Sequence, residues 1–424
     1  MSIINNLIIG AGITGLYLAY KLKDKNTVIV EKNNYLGGRI YTNEYKGYKY
    51  ESGAGRLGKK QKLVMELVEE LGLKDKLFSI SKEKSYVFNG EYIKDDIKLF
   101  KFYKINRFKN INELWSFIFN SKKQFSQDFL INNTFITYLQ TILKSNEVDL
   151  LYKSFGYIVE FLQQSAHATL TTLENDFDTK DNDFCVLGGG LNQLVFKLVE
   201  KLEEMGVKII KECELVDFKL KETYNSALLH YKNKKGEIKN KNIKFNKIYF
   251  TIPPHNLSKI PYFCNDELLK NAVSGYPLIR IYAKFNPNKD GDVWFKGMNK
   301  MVVDNLIKYI IPIDEKSGLI MISYSDGYIS EFWNSLKSKK TIIKYLMKYL
   351  TELFPNKNIP EPEWITSHFW RYGCTYWKPG FSYEELFKHV KKNYHPKHIY
   401  ILGEGYSKHP AWVNGSLETV HELL

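Results

Sequence analysis

The chain opens with a glycine pattern that strongly restricts its fold. An apolar run ends at Ile9 and is followed by Gly10-x-Gly12-x-x-Gly15, a helix-forming stretch and a second apolar run that ends at Glu31. Gly10 and Glu31 lie 21 residues apart, the spacing of a βαβ unit that binds a dinucleotide. In such a unit the glycines let a pyrophosphate approach a helix N-terminus, and the acid accepts from ribose hydroxyls. The sequence therefore predicts an α/β domain that binds a dinucleotide.

A second motif follows at once and narrows the kind of dinucleotide. The segment that runs from Glu31 through Lys32 to Gly37-Gly38-Arg39 resembles a signature of FAD-dependent enzymes in the flavin amine oxidase superfamily. The two glycines would let the backbone approach the cofactor, and the planar guanidinium of Arg39 suits phosphate oxygens. A glycine turn followed by a surface arginine is the alternative interpretation.

Composition limits the class of protein. With 424 residues, of which 44% are hydrophobic, the chain can bury a large core and is expected to hold two domains or one elaborated domain. The first strand begins near residue 7, which leaves no room for a signal peptide, and no apolar run is long enough for a membrane anchor. We therefore expect a cytoplasmic protein. The four cysteines show no metal-ligand spacing, so no metal site is predicted.

The net charge of +14 has two open explanations. Lysines are spread along the chain together with many Asn, Ile and Tyr residues, which is typical of AT-rich codon usage. Attraction of anionic substrates or of a polyanionic partner is the other explanation. Since no basic helix with interleaved aromatic residues is evident, we expect no specific nucleic-acid partner.

Nucleotide-binding features recur along the chain, which predicts a discontinuous cofactor domain. We assign it residues 1–75, 181–255 and 366–424, with a helical insertion at 76–180 and an α+β substrate domain at 256–365. The recurring segments are Gly53-Ala54-Gly55-Arg56, Gly188-Gly189, Gly403-Glu404 and Trp412-Val413.

These segments occur in the order found in the flavin-containing amine oxidoreductase family, and the resemblance covers nearly the whole chain. The resemblance implies a Rossmann-like FAD-binding fold of the α/β class. It also implies which residues hold the cofactor. The expected FAD contacts are Gly10, Gly12, Ile13, Thr14, Gly15, Glu31, Lys32, Gly38, Arg39, Gly53, Ala54, Gly55, Arg56, Leu215, Gly403, Glu404, Trp412 and Val413.

Arg56 and Trp412 are the first candidates for contact with the substrate. The segment around Arg56 resembles the L-amino-acid oxidase branch of the family, in which the matching arginine clamps the substrate carboxylate beside the flavin. A planar guanidinium can fix a carboxylate through two hydrogen bonds. An arginine that pairs with FAD or with a nearby acid is the alternative. Trp412 is expected to form an aromatic wall, and a packed core tryptophan is its alternative.

Two positions depart from the family pattern. Many members carry a lysine, bonded through water to the flavin, where alignment on Phe285 puts Arg280. Lys284 lies on the same strand face but about 13 Å further along, so a role for Arg280 in flavin reoxidation is an open question. Cys374 is out of register with the cysteine that bonds the flavin in monoamine oxidases, so FAD is expected to bind non-covalently.

The resemblance implies an FAD-dependent oxidase that deaminates an amino acid or amine, with hydride passing to flavin N5 and O2 reduced to hydrogen peroxide. The expected partners are a small-molecule amine or amino acid, O2 and a second copy of the chain, because family members are often dimers. Three alternatives stay open. They are a monoamine or polyamine oxidase without carboxylate recognition, a family desaturase acting on a ring or polyene, and an FAD-binding protein with a structural or interaction role.

Overall fold

The computed structural model describes residues 3–81, 83–177, 184–233 and 235–424. Strands and helices alternate along most of this length. The strands are β1 (Ile4–Ile9), β2 (Thr27–Val30), β3 (Thr42–Tyr45), β4 (Tyr48–Glu51), β5 (Leu57–Gly58), β6 (Leu77–Ser79), β7 (Lys84–Phe88), β8 (Glu91–Ile93), β9 (Phe184–Leu187), β10 (Lys208–Ile210), β11 (Cys213–Lys219), β12 (Asn225–Lys232), β13 (Ile238–Phe250), β14 (Val273–Lys284), β15 (Lys300–Val303), β16 (Tyr309–Asp314), β17 (Leu319–Asp326), β18 (Trp364–Trp377) and β19 (Ile399–Ile401). The helices are α1 (Ile13–Leu22), α2 (Lys62–Glu70), α3 (Asp96–Phe102), α4 (Ile111–Ser121), α5 (Gln127–Asn132), α6 (Phe135–Ile142), α7 (Ser145–Phe155), α8 (Val159–Leu162), α9 (Ala166–Phe177), α10 (Asn192–Glu204), α11 (Pro254–Leu257), α12 (Glu267–Asn271), α13 (Gly327–Ser335), α14 (Lys339–Leu353), α15 (Tyr383–Asn393) and α16 (Val413–His421).

The chain divides into two compact units. The first unit comprises residues 1–80, 181–274 and 375–424, and the second comprises residues 81–180 and 275–374. Helices α3–α9 therefore share one unit with strands β15–β17 and helices α13 and α14. The expected boundary at residues 180 and 181 lies in the stretch 178–183, outside the described residues. The labels cofactor domain and substrate domain stay predictions for these two units.

A parallel sheet organises the first unit. Its parallel strands follow the order β10–β2–β1–β13–β19, and the first half of β13 also pairs antiparallel with the hairpin strand β12, beyond which β11 forms the edge. Ile9, Val30, Phe250 and Ile401 end four of these strands in matching register. The segments that follow them therefore meet at one edge, where open α/β sheets bind ligands.

Three helices cover this sheet. Helix α10 places Leu194, Leu198 and Leu202 at intervals of four residues, so one face is apolar, and all three are fully buried. They pack in one core with residues of α1 and α16, including Leu16 and Leu417. This arrangement confirms the predicted α/β class with a Rossmann-like domain.

The second unit is built on a mixed sheet in the order β18–β14–β17–β16–β15–β7–β8. Helices α13 and α14 pack against it through residues such as Trp333 and Leu346. The helices α4–α9 enclose a largely aromatic core in which Trp115 stacks on Phe135 with ring planes 2° apart. In the described residues, no helix has the length and apolar character that crossing a membrane requires.

Candidate cofactor and substrate site

The turn between β1 and α1 is shaped by its three glycines. Gly10 has φ +106°, a conformation that L side chains rarely adopt, and a Cβ on Gly15 would lie 2.1 Å from the carbonyl oxygen of Gly10. A Cβ on Gly12 would meet no protein atom within 4 Å. Gly10 and Gly15 are therefore needed by the fold itself, while Gly12 borders open space at the N-terminus of α1. Ile13 and Thr14 begin the helix beside this space. A pyrophosphate fits such a position.

Glu31 supports this turn from the end of β2. The side chain is only 7% exposed, and its two oxygens accept from Ala11 N at 2.9 Å and from Asn33 N at 2.8 Å. Each carboxylate oxygen can accept a second hydrogen bond, so ribose hydroxyls remain compatible partners. Lys32, which follows it, is exposed.

The second glycine pair brings its loop against the first. Gly37 N donates to Ala11 O at 2.9 Å, and a Cβ on Gly38 would lie 3.5 Å from Gly12 Cα. Both glycines have positive φ, +101° and +60°. The loop can reach the open space beside Gly12 only because both residues lack a side chain.

Arg39 links this loop to the C-terminal motif. Its Nη1 lies 2.5 Å from Oε1 of Glu404, an oxygen that has no hydrogen-bond partner among the described residues, so the contact is an ion pair without well-aligned hydrogen-bond geometry. The other oxygen of Glu404 accepts from the Thr375 hydroxyl and from Ala411 N, both at 2.7 Å. Two predicted cofactor residues far apart in sequence are thus joined in one buried cluster.

Gly53-Ala54 packs on the backbone of Arg39. A Cβ on Gly53 would lie 1.9 Å from Arg39 O, and Ala54 N donates to the same oxygen at 2.9 Å. Gly55 continues this segment without regular structure. Gly403, which precedes Glu404, has φ +133°, and a Cβ there would lie 3.8 Å from the Thr14 hydroxyl. Val413 begins α16 and is buried. The structure therefore brings most of the predicted cofactor residues together.

His255 lies close enough to Arg39 to feel its charge, but it was not predicted as a site residue from the sequence. Burial lowers its pKa to about 4, with further lowering by the positive charges of Arg39, Lys259 and Lys32. The positive charges of Arg39, Lys259 and Lys32 are therefore all felt at His255 in the first unit, and such a positive potential suits a doubly charged pyrophosphate. The sequence could have indicated His255, because this residue closely follows β13, and the carboxyl end of β13 lies beside that of β1.

Arg56 stacks on aromatic rings. Its Cζ lies 4.4 Å from the ring centroid of Phe184 and 5.5 Å from that of Trp412, and these two rings are parallel within 1° at 5.7 Å. Among the described residues, the guanidinium has no acidic partner and no hydrogen bond. The predicted pair of Arg56 and Trp412 is thus brought together. Phe184 was missed, although its strand pairs with the strand that follows Arg56.

Leu215 lies on the edge strand β11, and its side chain is 7% exposed. Two residues earlier, Cys213 N donates to Glu31 O at 2.9 Å, and the strand has a bulge between Leu215 and Asp217. An edge strand has backbone N–H and C=O groups that no neighbouring strand pairs with. These groups can meet an adenine next to the ribose position at Glu31.

Arg280 belongs to the second unit, unlike Arg56. Its Cζ lies 4.8 Å from the ring of Tyr324, which packs in turn against Tyr157. Burial opposes the charge of this guanidinium, but Tyr282 and Tyr324 raise its pKa above the ordinary value. Lys284 on the same strand is engaged by Glu363 and by Asn286.

Asp326 and Glu160 are acids of the second unit that were not predicted as site residues. Asp326 is fully buried at the end of β17 and accepts from the backbone N–H groups of Ile158 and Val159, at 3.0 Å each. Glu160 lies in the first turn of α8 and accepts from the Tyr276 hydroxyl at 3.3 Å. No spacing motif marks these residues, because they come from segments more than 100 residues apart.

The comparisons with known proteins agree with this geometry. A family model described as flavin containing amine oxidoreductase matches residues 13–419. Protoporphyrinogen oxidase 2 of Arabidopsis thaliana is 34% identical over 83 residues, 19% of this chain and 16% of its own length. An L-amino-acid oxidase of Bothrops pauloensis is 25% identical over 243 residues, 48% of this chain and 45% of its own length. The matched segments therefore cover less than half of each relative.

A solved structure extends the likeness over the whole fold. A putrescine oxidase redesigned in its cofactor binding has a TM-score of 0.72 and 16% identity, and the match covers 99% of this chain and 97% of that one. At this identity the likeness concerns the fold alone. The three proteins differ in their named substrates.

Proposed function

This chain belongs to the flavin-containing amine oxidoreductase family, and from that premise we propose that it is an FAD-dependent oxidase of the C–N bond of an amine, with an amino acid as the first candidate substrate. The observation that carries the substrate proposal is the Arg56 guanidinium, which lies on Phe184 and Trp412 without an acidic partner among the described residues.

The residues of the first unit fit FAD at several points. The open space beside Gly12 at the start of α1 suits the pyrophosphate, and the positive charges of Arg39, Lys259 and Lys32 favour it. Glu31 would accept from the adenosine ribose, and the free edge of β11 near Leu215 would meet the adenine. Glu404, Trp412 and Val413 would hold the flavin half. We expect non-covalent binding, since the resemblance puts Cys374 out of register for a bond to the flavin.

When bound, the flavin would take hydride from the carbon beside the amine and pass the electrons to O2, giving an imine and hydrogen peroxide. Arg56 would hold the carboxylate of an amino acid through two parallel hydrogen bonds, and this would orient the carbon that reacts. The ring of Trp412 would exclude water from one side of the substrate.

The aromatic rings explain how Arg56 could perform this role. Stacking on Phe184 leaves the edge of the guanidinium, which carries the N–H groups, available to a planar anion. A carboxylate at that edge would supply the counter-charge that the described residues do not provide.

A second candidate function is oxidation of an amine that carries no carboxylate. It is favoured by the fold, which this chain shares with an oxidase named for putrescine, an amine that carries no carboxylate. The two candidates differ in whether Arg56 meets a carboxylate of the substrate.

Anaerobic reduction of the flavin tests both candidates. The absorbance of the bound flavin is followed while L-amino acids, monoamines and polyamines are added to the purified protein. Bleaching by L-amino acids that is lost in Arg56→Ala and weakened in Arg56→Lys would support the carboxylate clamp, because lysine keeps the charge but not the planar fork. Bleaching by amines alone would exclude the clamp.

A surface arginine provides the matched control. Arg371 also contacts an aromatic ring, that of Phe369, but its side chain is 64% exposed and pairs with Glu331. Arg371→Ala should leave the reduction unchanged. If no amine or amino acid reduces a protein that holds FAD, the structural role or a desaturase would replace the oxidase. Use of O2, formation of a homodimer and a cytoplasmic location remain predictions.

A further inference from the structure

The parallel sheet of the first unit has a second edge, at which its parallel pairing begins. We call it the amino edge and define it by five short segments, one for each parallel strand. These are residues 206–208, 23–27, 3–6, 246–248 and 397–399, in the order in which β10, β2, β1, β13 and β19 lie in the sheet. The amino edge is opposite to the carboxyl ends of the same strands, where the glycine motifs and Glu31 lie.

The segments before β10, β2 and β1 lie side by side. A Cβ on Gly206 would lie 4.0 Å from Lys25 Cβ, so the residues before β10 contact those before β2. Asn5 N donates to Asn26 O at 3.0 Å, which joins the segment before β2 to the start of β1. Three of the five segments therefore form one surface.

The other two segments continue this surface. The side chain of Asn246 donates to Asn5 Oδ1 at 3.2 Å, and Ile248 N donates to His398 O at 3.0 Å. The amino edge is thus continuous across five strands. At about 4.8 Å from one strand to the next, it extends over about 19 Å.

The amino edge is positively charged. Its segments contain a single acid, Asp24, and five lysines. The lysines are exposed, and within the described residues they form no ion pair; they are Lys23, Lys25, Lys208, Lys247 and Lys397. Asp24 accepts from the side chains of Asn5 and Asn6 at 3.0 Å each and from Asn26 N at 2.9 Å. These hydrogen bonds lower the pKa of Asp24, and the charge of Lys247 lowers it further.

The lysines of the amino edge differ from those on a helix of the same unit. On α10, for example, Lys197 pairs with Glu200 at 2.6 Å. The partial negative charge at the C-terminus of α1 favours Lys23, which is its C-cap residue, but Lys247 lies on a strand and has no such reason. A bias in codon usage adds lysines without separating them from acids. It therefore does not explain a surface of almost one sign.

An exposed isoleucine lies among these lysines. Ile3 is 41% exposed, and its carbonyl oxygen accepts from the side chain of Asn26 at 3.0 Å. Asn26 directly follows Lys25, so the isoleucine lies next to the positive charges. An apolar side chain among lysines is typical of a protein surface that lies on an anionic bilayer. A nucleic acid offers phosphates to the lysines but no apolar layer to the isoleucine.

We propose that the amino edge binds the surface of a membrane that contains anionic lipids. The lysines would lie at the negatively charged headgroups, and Ile3 would enter the boundary between the headgroups and the acyl chains. Because the glycine motifs lie at the opposite edge of the sheet, a membrane at the amino edge would leave them uncovered. The proposal does not depend on the reaction that the protein performs.

The test is the binding of the full chain to lipid vesicles, measured by co-sedimentation. Vesicles of an equal mixture of phosphatidylcholine and phosphatidylserine should bind the wild-type protein, whereas vesicles of phosphatidylcholine alone should not. The affinity for the anionic vesicles should fall steeply as the salt concentration is raised. If the wild type does not bind the anionic vesicles even at low salt, the proposal is wrong.

A triple variant tests the lysines of the amino edge. It combines Lys25→Gln, Lys247→Gln and Lys397→Gln, and it should bind the anionic vesicles about a hundredfold more weakly, because each lysine near such a surface contributes a factor of about five. Since all three side chains are exposed, the urea concentration at the midpoint of unfolding should match that of the wild type.

The matched control removes the same charge from the second unit. It replaces three exposed lysines that form no ion pair among the described residues, by Lys316→Gln, Lys340→Gln and Lys344→Gln. This variant should keep most of the wild-type affinity for the anionic vesicles. Equal losses in the two triple variants would show that only the net charge attracts the vesicles, and would overturn the proposal.

Ile3→Ser separates a membrane from a nucleic acid as the partner. It should weaken binding to the anionic vesicles about fivefold, because the exposed side chain no longer enters the bilayer, and it should leave binding to a duplex oligonucleotide unchanged. If the duplex binds the wild type more tightly than the anionic vesicles do, and Ile3→Ser changes neither affinity, a nucleic acid replaces the membrane and the proposal fails.

Discussion

The acids of the two units differ in whether a positive charge lies beside them. In the first unit, Glu31 accepts from two backbone N–H groups, and Glu404 accepts from Thr375 and Ala411 at one oxygen. Its other oxygen accepts no hydrogen bond but forms an ion pair with Arg39. In the second unit, Glu160 also has one buried oxygen without a hydrogen-bond partner, and no ion pair supports it among the described residues. We infer that the first unit is preorganised to hold a cofactor, because its acids are held in place before any ligand arrives.

The difference also reflects how each region is built. The turn at Gly10–Gly15 depends on backbone conformation and on the absence of side chains, so almost any other residue is excluded there. The surroundings of Glu160 depend on side chains from β14, α8 and β17, which many residue types could supply. Substitutions in the glycine turn of the first unit should therefore change stability through the backbone conformation, and substitutions around Glu160 should change it through the charges of the side chains.

The largest effect is expected from Gly15→Ala. The new Cβ would lie 2.1 Å from Gly10 O and 2.8 Å from the Thr251 hydroxyl, and neither the turn nor β13 can move away without breaking the sheet. We expect a loss of about 4 kcal/mol or more in the free energy of unfolding, together with loss of bound FAD. Urea unfolding and the flavin absorbance of the purified protein measure the two losses.

Gly12→Ala is the control for this change. Its Cβ would meet no protein atom within 4 Å, so stability without added FAD should change by less than about 0.5 kcal/mol. FAD affinity should nevertheless fall at least about tenfold, because the methyl group occupies the space assigned to the pyrophosphate. Unchanged affinity in Gly12→Ala would mean that the pyrophosphate binds elsewhere.

The next effect concerns the ion pair of Arg39 and Glu404. Arg39→Met would leave a carboxylate that is only 7% exposed without its counter-charge, which should cost about 3 kcal/mol in the free energy of unfolding. Arg371→Met breaks an exposed pair with Glu331 and should cost less than about 1 kcal/mol. Equal losses in the two variants, measured by urea unfolding, would show that the cluster around Glu404 is not a preorganised part of the first unit.

A smaller effect is expected from the pH dependence of stability. Burial raises the pKa of Glu160 in the folded protein above its value in the unfolded chain. Stability is therefore complete below the unfolded pKa and is lost as pH rises toward the folded pKa. Each unit of difference corresponds to about 1.4 kcal/mol. As the pH is raised from 5 to 8, the urea concentration at the midpoint of unfolding should fall more for the wild type than for Glu160→Gln.

Glu147→Gln separates this effect from the general loss of a buried acid. Glu147 is 1% exposed, accepts from Lys144 N at 2.8 Å and pairs with Arg107. Its variant should keep the wild-type decline with pH because Glu160 is intact in it. If Glu160→Gln declines as steeply as the wild type, folding does not raise the pKa of Glu160, and the contrast between the two units fails.

The same contrast explains what could be predicted from the sequence. The motifs around Gly10, Glu31 and Gly37-Gly38 require conformations and close approaches that only particular residues allow, so the Rossmann-like fold could be predicted from them, whereas the contact of Arg39 with Glu404 was not predicted. Glu160 and Tyr276 meet across 116 residues through packing that leaves no periodic pattern. Phe184 and His255 are intermediate cases. Phe184 lies on a strand, and His255 shortly after a strand, that pairs with a strand next to one of the motifs, so strand pairing could have indicated them.

The smallest effect concerns the backbone of Ala411 in the first unit. Ala411 has φ +69°, a left-handed conformation that costs an alanine about 1 kcal/mol or more. Its N–H donates to Glu404 at 2.7 Å, so the conformation is imposed by the same cluster that binds Arg39. Ala411→Gly should therefore raise the free energy of unfolding by up to about 1 kcal/mol, although greater freedom of glycine in the unfolded chain reduces the gain. Ala19→Gly, in the interior of α1, should instead lower it by about 1 kcal/mol. If Ala411→Gly destabilises the protein as much as Ala19→Gly does, the strain at Ala411 is negligible, and the cluster does not force its backbone as a preorganised site would.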